Sequence, residues 1–393
     1  MSEQPQSLES QLKMARPRKT EVARIPLTPE EDKRLFRILN KAIEAEKKRE
    51  LAKAIELYEQ YKEELLQIKR EKMPWDMERL IEWAKKDAGI ANAERWVTAN
   101  FEYDEEGKLI AINDIDLTGK ELKELPSGVS FIGDLRLTKA KVQKFPTEFS
   151  VDGNLYLDEA RVKRLPPGLD VGNHLTLKKS QVELLGENTI VDGWLDVTES
   201  KLQCLPENLT VISRLYASGL KSIKGIPKSL RVEGDLNLQG TNIRKIPDDF
   251  RVGNRLVLMN TPILEIGNNV NIGGSLVLTG TKIQRIGNNL RVGKDLVLGR
   301  CSKLKSLPRN IEVGGKVDIH DTRIGSIPPM HVKGDLNISS NYRISNLPDN
   351  LQVDGNINVG LCKKKLYEKA KKLKEQGKIK GEIKGQIDPR HKT

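Results

Sequence analysis

Aromatic residues make up only 4% of this 393-residue chain, so any core has to be built from Leu, Ile and Val. Cysteine is nearly absent. Cys204, Cys301 and Cys362 lie far apart, which excludes a disulfide scaffold and a paired-cysteine metal knuckle. Histidine is as sparse: His174, His320, His331 and His391 stand at ligand spacing neither from one another nor from a cysteine. No P-loop, G-x-S-x-G, HExxH or EF-hand pattern occurs. The expectation is a protein that is not an enzyme and holds no cofactor or metal. No apolar run approaches 18 residues, and the opening MSEQPQSLES has neither a basic n-region nor an apolar core. A transmembrane segment and a classical signal peptide are therefore not expected. A cytoplasmic location follows, with non-classical export left open.

What is plentiful is charge, and it is uneven. Of the net +12, residues 1–100 carry about +2, residues 101–360 about +2 and the last 33 residues +8. The basic balance is thus chiefly a property of one tail, and the body of the chain sums to near neutrality.

The body is a repeat. One apolar position recurs at Ile115, Leu135, Leu155, Leu175, Leu195, Leu215, Leu236, Leu256, Leu276, Leu296, Val317, Leu336 and Ile357, in steps of 20 residues with single-residue departures. That spacing predicts about thirteen coils, each reading close to φ-x-V-x-G-x-L-x-L-x-x-T-x-I-x-x-I-P-x-x. The L-x-L pair alternates as a strand with one buried face does. A second apolar column runs from Val142 through Ile344, and a third, from Leu125 to Leu347, stands before Pro in most coils. Pro removes a backbone donor there, so that segment is no central helix or strand. Gly186, Gly267 and Gly287 replace Pro in three coils, followed by Glu-Asn or Asn-Asn turn chemistry. One coil cannot offset the entropy of ordering its own 20 residues, so the coils must stack.

The string LxLxxTxIxxIPxxL resembles the short, 20-residue bacterial leucine-rich repeat found in effector-type proteins such as the YopM and IpaH groups. The resemblance covers residues 112–360 and implies a β-rich leucine-rich-repeat-like solenoid used for binding. Two departures stand out. The family's Asn position is held here by Ala140, Ala160, Ser180, Ser200, Thr241, Thr261, Thr281 and Thr322, and its first Leu is displaced to a Val-x-Gly. A parallel β-helix with 20-residue coils is the alternative fold. The ligase domain that accompanies some such effectors has no room in the 33 residues after the array.

Residues 1–27 read as a disordered N-terminal segment and 28–100 as a helical region that caps the array. Thr28-Pro29-Glu30-Glu31 is a helix start with a capping box. Apolar faces at Leu35–Ile43 and Leu51–Ile68 flank the charged run EAEKKRE, giving one long helix or a hairpin that Pro74 ends. Trp75, Trp83 and Trp96 fall on two further helices and are expected to plug the open end. FEYDEEGKLIAIN, at 101–113, is a hairpin that launches the solenoid of 101–360. Residues 361–393 form a Lys-rich cap or tail, a helix with Leu366, Ala370 and Leu373 on one face and a disordered end.

Two surfaces could serve function. On the strand face an aromatic and charged cluster, Tyr156, His174, Trp194, Arg214 and Tyr216, gives way to a stripe of Val257, Val277 and Val297 expected to be exposed. Aromatics and Arg are what binding hot spots use, so a non-catalytic scaffold with a protein partner is the leading expectation. The alternative is nucleic acid or an anionic membrane bound through Lys363, Lys364, Lys365, Lys371, Lys372 and Lys374.

Overall fold

A computed structural model describes residues 8–16, 28–72 and 75–386. The chain forms two compact units, one of Met1–Leu80 with Pro126–Val129 and one of Ile81–Leu125 with Ser130–Thr393.

The first unit is helical. Helix α1 (Leu8–Ala15) lies within the stretch expected to be disordered. Its Leu12 and Ala15 are buried with Ala42, Ala45, Ala54 and Tyr58, which is apolar surface enough to hold a short helix in place. Residues 1–7 and 17–27 lie outside the described residues. Helix α2 (Pro29–Lys47) begins at Thr28, whose hydroxyl accepts the Glu31 N–H while Glu31 accepts the Thr28 N–H, completing the capping box. Arg49 adopts a left-handed φ of +59°, which breaks the charged run and separates α2 from α3 (Leu51–Lys72). The result is a helical hairpin. Pro74 lies outside the described residues.

Helix α4 (Met77–Lys86) crosses from the first unit to the second, and α5 (Ala93–Asn100) follows. Phe101–Tyr103 and Leu109–Ala111 form an antiparallel hairpin. From Leu109–Ala111 onward the pairing is parallel, beginning with Ile110 opposite Ser130.

The second unit is a parallel β-solenoid whose coils have three sides. One side is the L-x-L position, where strands two residues long stack in a ladder of 14. A second ladder runs along the Val of V-x-G, in one sheet of eight strands and another of six. The third side pairs more sparsely, as Glu121–Glu124 with Lys141–Lys144 and as the strands at Lys245, Glu265 and Arg285. The repeat solenoid that the sequence predicts is thus observed, as a parallel β-solenoid.

Burial explains it. In a single coil Val151, Leu155, Leu157, Val162, Leu165 and Leu169 all point inward and are buried. Register is uniform, with Leu155 opposite Leu175 and Leu175 opposite Leu195, so like side chains stack from coil to coil. The corner between the Val and Leu sides is tight. A Cβ on Gly234, Gly253 or Gly273 would overlap a backbone carbonyl oxygen of the preceding coil. Glycine is needed there for close approach rather than for a left-handed φ.

The column that departs from the leucine-rich pattern is buried too. Thr241, Thr261 and Thr322 each donate their hydroxyl to the carbonyl three residues earlier, at 2.7, 2.6 and 3.0 Å. Cys301 and Cys362 occupy the same column, and burial pushes both thiols above the usual range. They are packing residues. Cys204 is exposed.

The C-terminal segment continues the stack. Helix α6 (Lys364–Glu375) buries Leu366, Ala370 and Leu373. Beyond it Ile379 pairs with Val353 and Ile383 pairs with Ile357. Ile379-Lys380-Gly381-Glu382-Ile383 thus repeats the Val353-x-Gly355-x-Ile357 spacing and forms a fourteenth rung, where a disordered end was expected. Residues 387–393, with His391, lie outside the described residues.

Candidate binding surface

The outer face of the leucine ladder is built on two columns, each with a structural rule. The first lies just before the inward Leu. Its side chains accept the backbone N–H of the equivalent residue one coil on: Asp114 from Asp134 at 2.9 Å, Asp134 from Asn154 at 2.9 Å and Asn154 from His174 at 3.1 Å. The rule resumes further along, where Asp235 accepts from Arg255 at 3.1 Å and Asp295 from Lys316 at 3.0 Å. Trp194 and Arg214 break it, as do Arg255 and Lys316, since none of these side chains has an acceptor to offer.

The second column lies between the two inward residues of L-x-L. Asp116, Asp196, Asn237, Asp318, Asn337 and Asn358 each accept the N–H two residues ahead, at 2.9–3.2 Å. These are Asx turns that hold the next corner. Arg136, Tyr156, Thr176 and Tyr216 give them up, as do Val257, Val277 and Val297.

The aromatic and Arg residues among those that break the rules are concentrated on neighbouring coils, whereas Arg255, Lys316 and the valines at 257, 277 and 297 break them further along. The Arg136 guanidinium sits 4.8 Å over the Tyr156 ring and pairs with Asp134 at 3.0 Å and Asp114 at 3.5 Å. His174 stacks on Trp194, with ring centroids 3.2 Å apart and planes at 18°. Arg214 donates to the Tyr216 hydroxyl at 3.4 Å and pairs with Asp235 at 3.5 Å. Trp194 remains 39% exposed. Burial against the indole holds the His174 imidazole below its ordinary pKa, with Asp134 opposing the shift. Tyr156, His174, Trp194, Arg214 and Tyr216 thus form one patch on consecutive coils.

The valine stripe is not an exposed surface. Val257 is 8% exposed and Val277 6%, and Val297 is half-buried. Each valine is flanked in register by the neighbouring coils, which close over so short a side chain. It packs.

The tail lysines lie around the cap. Lys364, Lys365, Lys371 and Lys372 project from α6 into solvent, while Lys363 and Lys374 are half-buried. Lys371 pairs with Glu368 at 3.8 Å and Lys374 with Glu382 at 3.9 Å. Lys369 also pairs, with Asp349. The basic excess is partly used to fasten the cap.

The histidines are dispersed. His320 bonds Asp318 at 2.7 Å and His331 bonds Asp354 at 2.9 Å, both within the stack. Among the described residues no group of three or more His, Cys, Asp and Glu side chains is placed to hold a metal ion. Among them, too, no helix is long and apolar enough to cross a membrane.

Sequence reasoning picked out the aromatic cluster but not the rules it breaks. The signal was available, because the Asx residues recur at fixed offsets from each L-x-L. Comparison of the chain with protein-family models, with curated proteins and with solved structures returns no match.

Proposed function

We propose that this chain is a non-catalytic scaffold that docks a protein partner on the outer face of the leucine ladder, between Arg136 and Tyr216. One observation carries the reading. At positions where other coils place an Asx side chain that fastens the stack, these neighbouring coils place Trp, Tyr or Arg. Where Val replaces Asx the side chain packs, whereas rings and guanidinium groups left at the surface on neighbouring coils are what a binding site uses.

The chemistry fits a protein surface. Tyr156 to Tyr216 spans three coil steps, about 14 Å at the spacing of adjacent strands, and this is the scale of a hot-spot centre. The indole presents a flat apolar face already held by His174, so little ordering entropy remains to be lost on docking. Both arginines are oriented by carboxylates.

The test compares the full-length protein with Trp194→Ala/Tyr216→Ala in quantitative affinity capture, followed by titration of the captured partner. The double variant should bind about 30-fold more weakly, equivalent to about 2 kcal/mol, at unchanged melting temperature. Undiminished binding by the double variant would contradict the assignment.

A further inference from the structure

The third side of the solenoid carries the charge that the sum over the array conceals. From the second coil onward its outward positions are those just before and the two just after the inward residues Val142, Val162, Val182, Leu202, Ile223, Ile243, Ile263, Ile283, Leu304, Ile324 and Ile344. Those 33 positions hold 15 Lys or Arg against two acidic residues, Glu183 and Glu265. They therefore carry +13, while residues 101–360 as a whole carry +2. Apart from Glu121 and Glu124 beside Leu122 in the first coil, at one end of this side, the other acidic residues sit on the other sides and corners. The neutral body has a basic flank.

The basic side chains are open to solvent, Lys141 pairing with Glu121 at the strip's edge. All 15 are exposed, among them Lys144, Arg161, Arg164, Arg244, Lys245 and Lys305. Glu265 is engaged by Lys245 and Arg285 within the strip. Because the coils stack in register, the charges form parallel rows that run with the axis. Ten coil steps at about 4.8 Å make the strip about 48 Å long. That length matches about 14 base pairs of duplex at about 3.4 Å each.

From this we propose that the third side binds a nucleic-acid duplex through its phosphates, without reading bases. A long row of cations held in register complements a linear polyanion, and neutralising its phosphates releases condensed counterions. Two features of the strip select a duplex. None of the 33 positions holds an aromatic residue, so successive unpaired bases have no row of rings on which to stack. Nor does any of them hold an exposed large apolar side chain, so the strip offers little to insert into a lipid surface. This surface lies on a different side of the coil from the aromatic patch and does not depend on it.

The test is fluorescence anisotropy of a labelled 20-base-pair DNA duplex of random sequence with the full-length protein at 50 and 200 mM salt. Affinity should fall by about 10²–10³-fold between the two salts, the loss for about five phosphate contacts. Arg161→Glu/Arg164→Glu/Arg244→Glu/Lys305→Glu should bind at least about 30-fold more weakly at 50 mM, with its melting temperature retained. Lys364→Glu/Lys365→Glu/Lys372→Glu/Lys384→Glu, with the same change in net charge, should stay within about threefold of the unaltered protein. Absence of duplex binding at 50 mM would overturn the proposal. So would equal losses in the two variants, since net charge rather than this side would then govern. Phosphatidylserine vesicles bound as tightly as the duplex, and lost in the first variant alone, would overturn it in favour of a membrane.

Discussion

His174 Nδ1 accepts the backbone N–H of Trp194 at 3.2 Å, and the two rings stack beside that bond. One imidazole therefore continues the corner ladder that Asp134 and Asn154 begin and also supports the exposed indole. Acceptance at Nδ1 requires that nitrogen to be unprotonated.

This makes the site pH-dependent. With its folded pKa below the ordinary 6.5 because of burial, His174 binds a proton more readily in the unfolded chain. Its contribution to stability is therefore complete above about 6.5 and is lost as pH falls toward the folded value. The melting temperature should drop between pH 7 and pH 5. His174→Asn, which restores the residue used at Asn154, should flatten that part of the profile. An unchanged profile in the variant would show that another group titrates.

The corner glycines admit a direct steric test. Gly253→Ala places a methyl group against the Glu233 carbonyl oxygen, whereas nothing lies within 4 Å of a Cβ on Gly225 and its φ is not left-handed. Gly253→Ala should cost about 2 kcal/mol or more, like other strained insertions into packed interiors. Gly225→Ala should stay within about 0.5 kcal/mol of the parent. Chemical denaturation of both variants checks the pair, and equal stabilities would argue against the close stacking of that corner.

Inward and outward residues of one strand should differ just as clearly. Leu236 is fully buried and Asn237 half-buried. Leu236→Ala is expected to lose about 2–5 kcal/mol to transfer and cavity formation. Asn237→Ala should lose about 1 kcal/mol, the worth of its bond to the Gln239 N–H.

The C-terminal cap predicts a different kind of loss. Deleting residues 361–393 removes buried Leu366, Ala370, Leu373 and Ile379 together with the last rung. An uncapped solenoid exposes apolar surface and an open strand edge. The truncated protein should melt at a lower temperature and self-associate in analytical ultracentrifugation. A monomeric truncation of parental stability would mean that the tail caps nothing.

Much of this was legible from the residues. The 20-residue period, the inward columns and the helix start at Thr28 follow from burial and capping, which leave regular marks in sequence. The three-sided coil was harder, because it depends on how closely backbones approach at Gly234 or Gly253. The valines at 257 and 277 alternate as outward residues should, but alternation does not report how far neighbouring coils close over them. The basic side escaped for an arithmetical reason: its charges are cancelled in any sum along the chain and appear only once residues are sorted by side. Likewise the rung at Ile379–Ile383 was read as a charged tail because Lys380 and Lys384 outweighed the V-x-G-x-L spacing beneath them.

The assignment of sides, the patch and the basic strip all rest on the register of the coils. Cysteine cross-linking reads it directly. In a Cys204→Ser background, Asn237→Cys/Val257→Cys places thiols on paired residues of adjacent strands, at a Cα separation a disulfide can span. Asn237→Cys/Leu258→Cys places them on opposite faces of the ladder, because Leu258 points inward and is fully buried. Under mild oxidation the first pair should lose two thiols by mass spectrometry and the second none. Cross-linking of the second pair, or of neither, would contradict the register.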